Sequence, residues 1–575
     1  MAPTLLPRLG PLPKGMGPVW VTSLAWSWLL LLPATWRPWA LLPGEAGHPD
    51  GPGTWNLHWL VHARGLLGMT HSRMLAWPSS EDRLAMEGFP LDALLSWPFL
   101  AVLGWPAGFT VFVWASLAFA SAAMGWLAAR WWRSRAAGLV AAVVYPVSNV
   151  LSYELSQGRS SQVVTAALLP LALGLMADAL VREDARRGAL AGVVGGLCAL
   201  SYWFSSPLLV VGGAVLLVLA LLEGRDPRPT LAGLVPGGLA VAGLPLAWAV
   251  TGTEGLGGVA LGATDLVTSR GDTMVLMDQL ALVVAPLGAR APEGPGVLRP
   301  ELWALAATAL VVARPRRWVA ALSWAGIGAA LALGPWVALN DQLALPGPFL
   351  LVLDLPLLRR WRWPDRALLL VAPGLVLLAA GGASWLSRWG RQRLAGRAPA
   401  GAAEWGPPVL LSLILAALAW MRLPQLPVPV TAWAPGPMAL ALSGGEGPVL
   451  VLPALAGPLR GDADALLDQL HHGRPLVNTQ HFPFDSDAPA SNHDSRAWPA
   501  LASIYGCEMN PRRAAPQDAA ALREGLRQVG LTDVWVQPEV VTEGARAAWL
   551  GCLEQVLGAD SREVPGARVY TLPDP

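Results

Sequence analysis

Long apolar segments recur along residues 1–421 and are separated by short polar connections. A membrane hydrocarbon core about 30 Å thick is crossed by roughly 20 apolar residues of helix, and many of these segments approach that length. The pattern predicts about eleven transmembrane helices, over the approximate ranges 19–42, 106–129, 137–152, 162–181, 188–203, 206–222, 229–250, 301–313, 318–338, 365–386 and 407–421. We therefore expect residues 1–421 to form a polytopic α-helical membrane domain.

Beyond residue 421 the apolar segments become shorter, and stretches typical of strands alternate with stretches typical of helices. Residues 447–455, 533–537 and 567–572 have the composition of strands. The stretches between them have the periodicity of helices, at residues 462–472, 519–530 and 544–558. Because strands that alternate with helices favour parallel pairing, we expect a small, partly parallel sheet in a C-terminal α/β domain over residues 422–575.

The amino-acid composition is typical of a membrane protein and limits the kinds of partner that the chain is expected to bind. Hydrophobic residues make up 54% of the 575 residues, and charged residues only 14%. The 40 Lys and Arg residues are balanced by 39 Asp and Glu residues, so the chain has no net basic field for nucleic acid. No nucleic-acid-binding motif is visible either. We therefore expect membrane lipid as a partner and no nucleic acid.

Arginines are concentrated in alternate connections between the apolar segments, at residues 130–135, 182–187, 225–228, 314–317 and 388–397. Short basic connections stay in the cytoplasm, so this alternation predicts a cytoplasmic N-terminus. With an odd number of helices, the first loop (residues 43–105) and the C-terminal domain (residues 422–575) would both be extracytoplasmic. An oxidising compartment of this kind permits a disulfide between Cys507 and Cys552. The alternative is that the two thiols lie too far apart to bond.

The first loop begins with an acidic, histidine-bearing stretch that follows the first apolar segment directly. Glu45, His48 and Asp50 occur together there, ahead of Trp55 and Trp59. Carboxylates and histidines are the side chains that act as general bases or bind a metal ion. We take the first three as candidate catalytic residues. The simpler alternative is that they are only solvated at a membrane surface.

A second group of candidates lies in a connection that the alternation predicts to be extracytoplasmic and poor in arginine. Its arginines are Arg359, Arg360, Arg362 and Arg366. Arginine binds phosphate through a planar fork of N–H donors, which makes these residues candidates for a phosphate site. They could instead pair with Asp354 and Asp365 or with lipid headgroups. Arg270, close to Asp272, is a further candidate.

The order of these features resembles that of the GT-C superfamily of membrane glycosyltransferases. The likeness includes Asp50 followed by the W-x-x-x-W stretch, the half-helix FPLDALLSWPFLAVLG, the basic turn ARWWRSR and the segment VYPVSNVLSYELSQGRSSQVVTAALLPLAL. It continues with RRWRWPDRALLLVAPGLVLLAAGG, which is similar to a segment of bacterial YfhO-like or dolichyl-phosphate-mannosyltransferase-like membrane proteins. The resemblance extends in order over most of the chain.

This resemblance implies a membrane glycosyltransferase of the bacterial inner membrane that uses a polyprenyl-phosphate-linked sugar as donor. The acceptor would be a glycan, a lipid or a protein at the outer face. Asp50 matches the acidic residue of the family's first loop, which implies a role as base or as ligand of a divalent metal, Mg or Mn. Pro49 stands where the family often has glycine. For a second acid, the nearest candidates are Glu154 and Glu45.

A second class of function stays open. The chain could be a non-catalytic membrane protein with a degenerate GT-C fold, either a transporter of lipid-linked cargo or an assembly factor. Secondary transporters often show repeated halves and carboxylates within the membrane. The apolar segments show neither an obvious repeat nor more than a few carboxylates, so the sequence favours the glycosyltransferase.

Overall fold

The structure is a computed structural model. It describes residues 5–6, 9–11, 13, 15–45, 50–65, 90–202, 206–251, 300–313, 317–333, 336–339, 342–351, 364–395, 397, 399–423, 426–452, 467–477, 503–504, 506–507, 519–528, 530–557 and 561–572.

Helices dominate the first 422 residues. They are α1 Gly17–Leu30, α2 Leu32–Trp36, α3 Asp50–Arg64, α4 Pro90–Leu103, α5 Ala107–Trp132, α6 Arg135–Val144, α7 Asn149–Ser156, α8 Ser161–Arg182, α9 Ala185–Ser201, α10 Ser206–Leu222, α11 Arg228–Thr251, α12 Pro300–Val312, α13 Val319–Ala332, α14 Leu368–Leu394 and α15 Ala400–Arg422. Each predicted apolar segment contains at least one of them. Some segments contain two, so the number of membrane crossings stays a prediction.

Four helices in the described part of the chain are long and apolar enough to cross a membrane: α5, α8, α14 and residues Gly401–Arg422 of α15. They differ in their position within the fold. The most apolar stretch is 94% buried in α14 and 89% buried in α8, but only 33% buried in α15. Helices α8 and α14 therefore form the centre of the bundle, and α15 lies at its edge. The prediction of a polytopic α-helical membrane protein is confirmed.

Prolines divide some segments that the sequence pattern predicts as single helices. The predicted helix 19–42 is wrong at its end, because the chain leaves the helical region at Arg37 (φ −131°, ψ 61°), the residue before Pro38. The α conformation is disfavoured for a residue that precedes proline. A short strand, β1 Leu41–Pro43, follows. It pairs antiparallel with β4 Val430–Ala432, so the first loop and the C-terminal domain share a two-stranded sheet.

Two other predicted segments are not continuous helices, and each contains a proline near the point where its helix ends. Segment 137–152 is interrupted at Pro146, between α6 and α7. Segment 318–338 is helical only as far as Ala332, and Pro335 follows shortly. The chain beyond it forms an antiparallel hairpin of β2 Trp336–Leu339 and β3 Gln342–Pro346.

The C-terminal domain contains a four-stranded sheet in the order β5-β6-β8-β7. Its strands are β5 Val449–Leu452, β6 Asp533–Val536, β7 Ser561–Val564 and β8 Ala567–Thr571. Strands β5 and β6 are parallel, whereas β8 pairs antiparallel with both β6 and β7. The predicted partly parallel α/β domain is therefore confirmed. Strand β7 was not predicted, because its sequence SREV is charged and mostly exposed.

Helices complete this domain: α16 Pro437–Leu442, α17 at residues 467–472, α18 Ala519–Gln528 and α19 Glu543–Leu557. Leu450, Val534 and Trp549 contribute to a core between the sheet and α19. The structure joins Cys507 and Cys552 by a disulfide, with 5.7 Å between their Cα atoms. This bond ties the chain at residues 506–507 to α19.

Candidate active site

A buried ion cluster forms where α7 ends and α14 begins. Glu154, in the last turn of α7, is completely buried. Its Oε1 accepts a hydrogen bond from Nη1 of Arg366 at 2.7 Å. Nη1 of Arg159 lies 3.2 Å from Oε1 and 3.1 Å from Oε2 of the same carboxylate. Three charged side chains therefore meet at one buried point.

The turn after α7 explains how Arg159 reaches Glu154. Gly158 has a φ of 75° and ends the helix in the left-handed conformation. The amide of Arg159 donates to the carbonyl of Glu154, and the amide of Gly158 donates to that of Leu155, each at 3.0 Å. These two bonds define a Schellman turn, which reverses the chain at a helix end. The Arg159 side chain then extends back along the helix to the carboxylate.

Arg366 comes from a separate part of the chain. It lies in the short 3-10 turn Pro364–Ala367 that precedes α14 and is 4% exposed. Its guanidinium carbon lies 6.0 Å from the centre of the Tyr202 ring, at the end of α9. An aromatic face at this distance attracts a cation. The cluster is therefore built from the ends of α7, α9 and α14.

The two arginines keep Glu154 ionised. Burial alone would raise the pKa of this carboxyl. The positive charges of Arg159 and Arg366, and the hydrogen bonds they donate, outweigh that effect and hold the pKa of Glu154 below its ordinary value. The three side chains together carry two positive charges and one negative charge.

Three glycines allow the first loop to pack against the turn after α7. A Cβ on Gly44 would lie 2.4 Å from the Cα of Gly158, and a Cβ on Gly158 would lie 3.0 Å from the Cα of Gly51. A Cβ on Gly51 would lie 2.6 Å from the carbonyl oxygen of Gln157. A larger residue at any of these positions would force the neighbouring atoms to move. The start of α3, at Asp50, is consequently held beside the turn that carries Arg159.

The structure places the predicted site residues in four different ways. Glu154 and Arg366 are in direct contact. Glu45 is exposed, and its amide donates to the carbonyl of Ser156 at 2.7 Å, so its backbone adjoins the same turn. Asp50 begins α3, where only its backbone is described. The remaining candidates lie outside the described residues: His48, Arg270, Arg359, Arg360 and Arg362.

His58 connects α3 to the same region. Its ring is completely buried, with Nδ1 2.8 Å from Oγ of Ser96 in α4 and Nε2 3.2 Å from Oγ of Ser160. Phe109 and Phe112 of α5 pack on the ring, at centroid distances of 5.0 and 5.4 Å. Burial lowers the pKa of His58 to about 3, so the imidazole is neutral at physiological pH. Both ring nitrogens face serine hydroxyl groups.

Asp92 is a second buried group of the first loop. It lies in the first turn of α4 and is completely buried. Neither of its carboxyl oxygens has a hydrogen-bond partner among the residues that the structure describes. Burial raises the pKa of Asp92 well above its ordinary value. A protonated, neutral carboxyl is the form that such surroundings favour.

The C-terminal domain packs directly on the first loop. Asn56 of α3 donates through Nδ2 to Oε1 of Gln469 at 2.6 Å, and both residues are buried. The rings of His471 and Trp433 stack with their centroids 3.9 Å apart, and Trp105 lies edge-on to Trp433 at 5.9 Å. The domain therefore contacts the helix that begins at Asp50.

Three members of the site were not predicted from the sequence: Arg159, Tyr202 and Ser160. The sequence does contain a reason to choose Arg159, because it is an arginine in a connection predicted to be extracytoplasmic. It also follows a glycine placed as in a turn that ends a helix. The sequence contains no such reason for Tyr202 or Ser160. No group of three or more His, Cys, Asp or Glu side chains suited to a metal occurs within the described ranges. A divalent metal at Asp50 stays a prediction.

Known structures resemble this chain over almost its whole length. No protein-family profile matches it, and no curated protein sequence does. ArnT from Cupriavidus metallidurans matches in its apo state, with a TM-score of 0.53 and 13% identity over 97% of this chain and 98% of that chain. This chain therefore shares with ArnT the fold that the resemblance to the GT-C superfamily implied. The predicted resemblance to that superfamily is confirmed at the level of fold, and its YfhO-like part stays a prediction.

Two further structures match. ArnT bound to undecaprenyl phosphate gives a TM-score of 0.51, again at 13% identity over 97% of this chain and 98% of that chain. The archaeal oligosaccharyltransferase AglB from Archaeoglobus fulgidus, in complex with an inhibitory peptide and a dolichol-phosphate, gives 0.47 at 13% identity, over 97% of this chain and 74% of that chain. The ArnT structures have the higher TM-scores, and at 13% identity the shared property is the fold.

Proposed function

We propose that this protein is a membrane glycosyltransferase that transfers a sugar from a polyprenyl-phosphate-linked donor to an acceptor at the outer face of the membrane. The observation that carries this proposal is the buried cluster of Glu154, Arg159 and Arg366 beside the start of the helix that begins at Asp50. Arg159 and Arg366, which are suited to bind a phosphate leaving group, thus lie near the helix N-terminus at Asp50. A cation and a carboxylate are the two elements that an inverting sugar transfer requires.

The two arginines bind the donor phosphate in this proposal. Arginine donates N–H groups in a planar fork that matches phosphate oxygens, and a buried setting strengthens that interaction. Glu154 holds both guanidinium groups in place, because it is ionised and contacts each of them. We therefore assign Glu154 a positioning role instead of the role of second acid that the sequence suggested.

Asp50 serves the acceptor. At the N-terminus of α3 the helix dipole favours an ionised carboxylate. The acceptor oxygen attacks C1 of the sugar while its proton passes to Asp50. The bond between C1 and the phosphate oxygen breaks, and its electron pair stays on the phosphate beside Arg366 and Arg159. A divalent metal such as Mg or Mn at Asp50 would supply a Lewis acid for the same oxygen.

The two ends of α8 support the proposed orientation. The helix has 22 residues and is therefore roughly 33 Å long, which is close to a bilayer thickness. Ser160 and the candidate site precede its first residue. Near its other end Asp178 contacts three arginines: Arg130, Arg182 and Arg187. We infer that this basic end is cytoplasmic in a bacterial inner membrane, which leaves the site and the C-terminal domain outside.

The test is sugar transfer by the purified full-length chain from a panel of labelled polyprenyl-phosphate sugars, with and without Mg, Mn or chelator. Glycan, lipid and peptide acceptors are supplied in separate arms. We expect Asp50→Asn and Arg366→Ala to abolish transfer. Arg388→Ala, which removes an exposed arginine near the end of α14, is the matched control and should transfer normally.

Absence of transfer by folded wild-type protein with every donor would reject the glycosyltransferase. It would favour the non-catalytic alternative, a transporter of lipid-linked cargo or an assembly factor with a degenerate GT-C fold. Transfer that survives Asp50→Asn would retain the enzyme and reject Asp50 as its base.

A further inference from the structure

We propose that His58 is a positioning residue that holds Ser160, and through it the arginine pair, in register with the helix that begins at Asp50. The inference rests on the proposed function, because the arginines matter as a phosphate site. It adds a residue that touches neither the phosphate nor the acceptor. His58 lies eight residues after Asp50, about 12 Å along the same helix.

The hydrogen bonds determine which nitrogen of His58 carries the proton. Oγ of Ser96 donates to the carbonyl of Ala93 at 3.0 Å, so its oxygen is left to accept from His58 Nδ1–H at 2.8 Å. Nε2 is then the acceptor, and the hydroxyl of Ser160 donates to it at 3.2 Å. The imidazole is therefore a directional link, with Ser96 on one side and Ser160 on the other.

The surroundings make this link rigid. His58 and Ser96 are completely buried and Ser160 nearly so, and Phe109 and Phe112 enclose the ring. A buried hydroxyl that loses its partner is costly, so the bond to Ser160 resists exchange with water. The ring is neutral over the physiological range, and the link therefore persists when the pH changes.

Ser160 is placed to transmit this constraint. It follows Arg159 directly and precedes the first residue of α8. Its carbonyl accepts the amide of Val163 at 2.9 Å, so the residue is also part of the helix start. Movement of Ser160 would move the backbone of Arg159, whose side chain contacts Glu154. His58 thus joins the acceptor side of the proposed site to its phosphate side.

Substitution of His58 by Gln or by Asn tests its two hydrogen bonds separately. The Gln side chain reaches the position of Nε2, so His58→Gln retains a partner for Ser160. The Asn side chain reaches only the position of Nδ1, so His58→Asn retains the partner for Ser96 and loses Ser160. Ser160→Ala removes the same contact from the other side. His62→Asn is the matched control, because His62 is an exposed residue one turn further along the same helix.

We expect His58→Asn and Ser160→Ala to raise the KM for the donor about tenfold or more while kcat falls less than about threefold, since they displace a phosphate-binding arginine and leave the base in place. His58→Gln should restore the KM to within about threefold of wild type, and His62→Asn should leave it unchanged. A purely structural role for His58 would instead lower thermal stability equally in both His58 variants with no separation of KM from kcat. That outcome would overturn the proposal.

Two further readouts do not depend on transfer. Binding of polyprenyl phosphate without a sugar, followed by tryptophan fluorescence, should weaken in His58→Asn and recover in His58→Gln. Hydrogen exchange in a peptide covering residues 154–160, measured without ligand, should speed up in His58→Asn and Ser160→Ala but not in His58→Gln. If wild type transfers no sugar but the exchange pattern holds, the proposed function fails and the positioning role stands. If exchange is the same in both His58 variants, the positioning role is wrong whatever the activity.

Discussion

The carboxylate of Glu154 and the guanidinium of Arg366 form a buried ion pair across 212 residues of chain, with 2.7 Å between Oε1 and Nη1. The pair joins the end of α7 to the turn that starts α14, the most deeply buried of the long apolar helices. It therefore places buried charge where the ends of these helices meet. Buried charges of this kind are strongly destabilising when one partner is removed.

Glu154→Gln should destabilise the protein and make its stability less sensitive to acid. Removal of one partner from a buried pair costs roughly 3 to 5 kcal/mol. Because the pKa of Glu154 is below its unfolded value, the wild-type carboxylate stabilises the fold above pH 4.3 or so, and that contribution is lost as pH falls through the folded pKa. Thermal unfolding of wild type and variant between pH 3 and 8 measures both effects.

The control for this variant is Glu404→Gln, which removes an exposed partner of Arg135. Its unfolding temperature should change little, because exposed pairs contribute about 0 to 1 kcal/mol. An equal loss of stability in the two variants would contradict the central role of the Glu154 cluster.

Gly158→Ala should destabilise the protein by more than the strain of its left-handed backbone conformation alone. An alanine with a φ near 75° costs roughly 1 to 2 kcal/mol, and its Cβ would lie 2.9 Å from the Trp55 ring and 3.0 Å from the Cα of Gly51. Overpacking adds about 1 to 3 kcal/mol. We expect both a lower unfolding temperature and weaker binding of polyprenyl phosphate.

Gly566→Ala isolates the backbone contribution. Gly566 also has a φ of 75°, and a Cβ there would have no atom within 4 Å. The difference between the two variants measures the crowding between the first loop and the turn after α7. No difference between them would mean that the loop can move away without cost.

Asp92→Asn should stabilise the protein increasingly as the pH rises. The pKa of Asp92 is raised by burial, so the wild-type carboxyl stabilises the fold fully below its unfolded pKa of about 3.9 and loses that contribution as the pH rises through its folded pKa. Asparagine cannot ionise and avoids this loss. Unfolding temperatures at pH 4 to 8 should diverge between variant and wild type. Parallel curves for variant and wild type would show that Asp92 ionises without cost.

A lower pH should destabilise the C-terminal domain around His472. Its Nδ1 accepts the amide of Arg474 at 3.0 Å, which requires an unprotonated nitrogen. Burial, followed by the charges of Arg474 and His471, lowers the pKa of His472 to about 4. The neutral ring therefore stabilises the fold above pH 6.5 or so, and this contribution is lost as the pH falls from there to about 4.

Hydrogen exchange of the Arg474 amide in the full-length protein, corrected for intrinsic rates, tests this point. Protection should fall between pH 7.5 and pH 5 in wild type. In His472→Asn the amide oxygen replaces the ring nitrogen as acceptor and does not titrate in this range. Equal pH dependence in the two proteins would assign the effect to another group.

The charge of a residue and its position relative to the apolar segments explain which parts of the site were predictable from the sequence. Arg366 stands out because it breaks the alternation of basic connections, and Glu154 because it is an acid at the end of an apolar segment. Asp50 stands out because it occurs with Glu45 and His48 directly after the first apolar segment, and the family resemblance then implies its role. The roles of Ser96 and Ser160 were not predictable, since a serine carries no sequence signal for the histidine it contacts.

The sequence by itself determined the class of protein, the approximate positions of its long apolar helices and the alternation of strands and helices in its C-terminal domain. These follow from apolar length and periodicity, which act over a few residues. Only the tertiary structure decided that Glu154 pairs with Arg366, that His58 lies between Ser96 and Ser160, and that three glycines bring Asp50 beside them. The physical reason is that such contacts depend on how separate helices pack, and a hydrogen bond between residues 212 positions apart leaves no periodic trace in the chain.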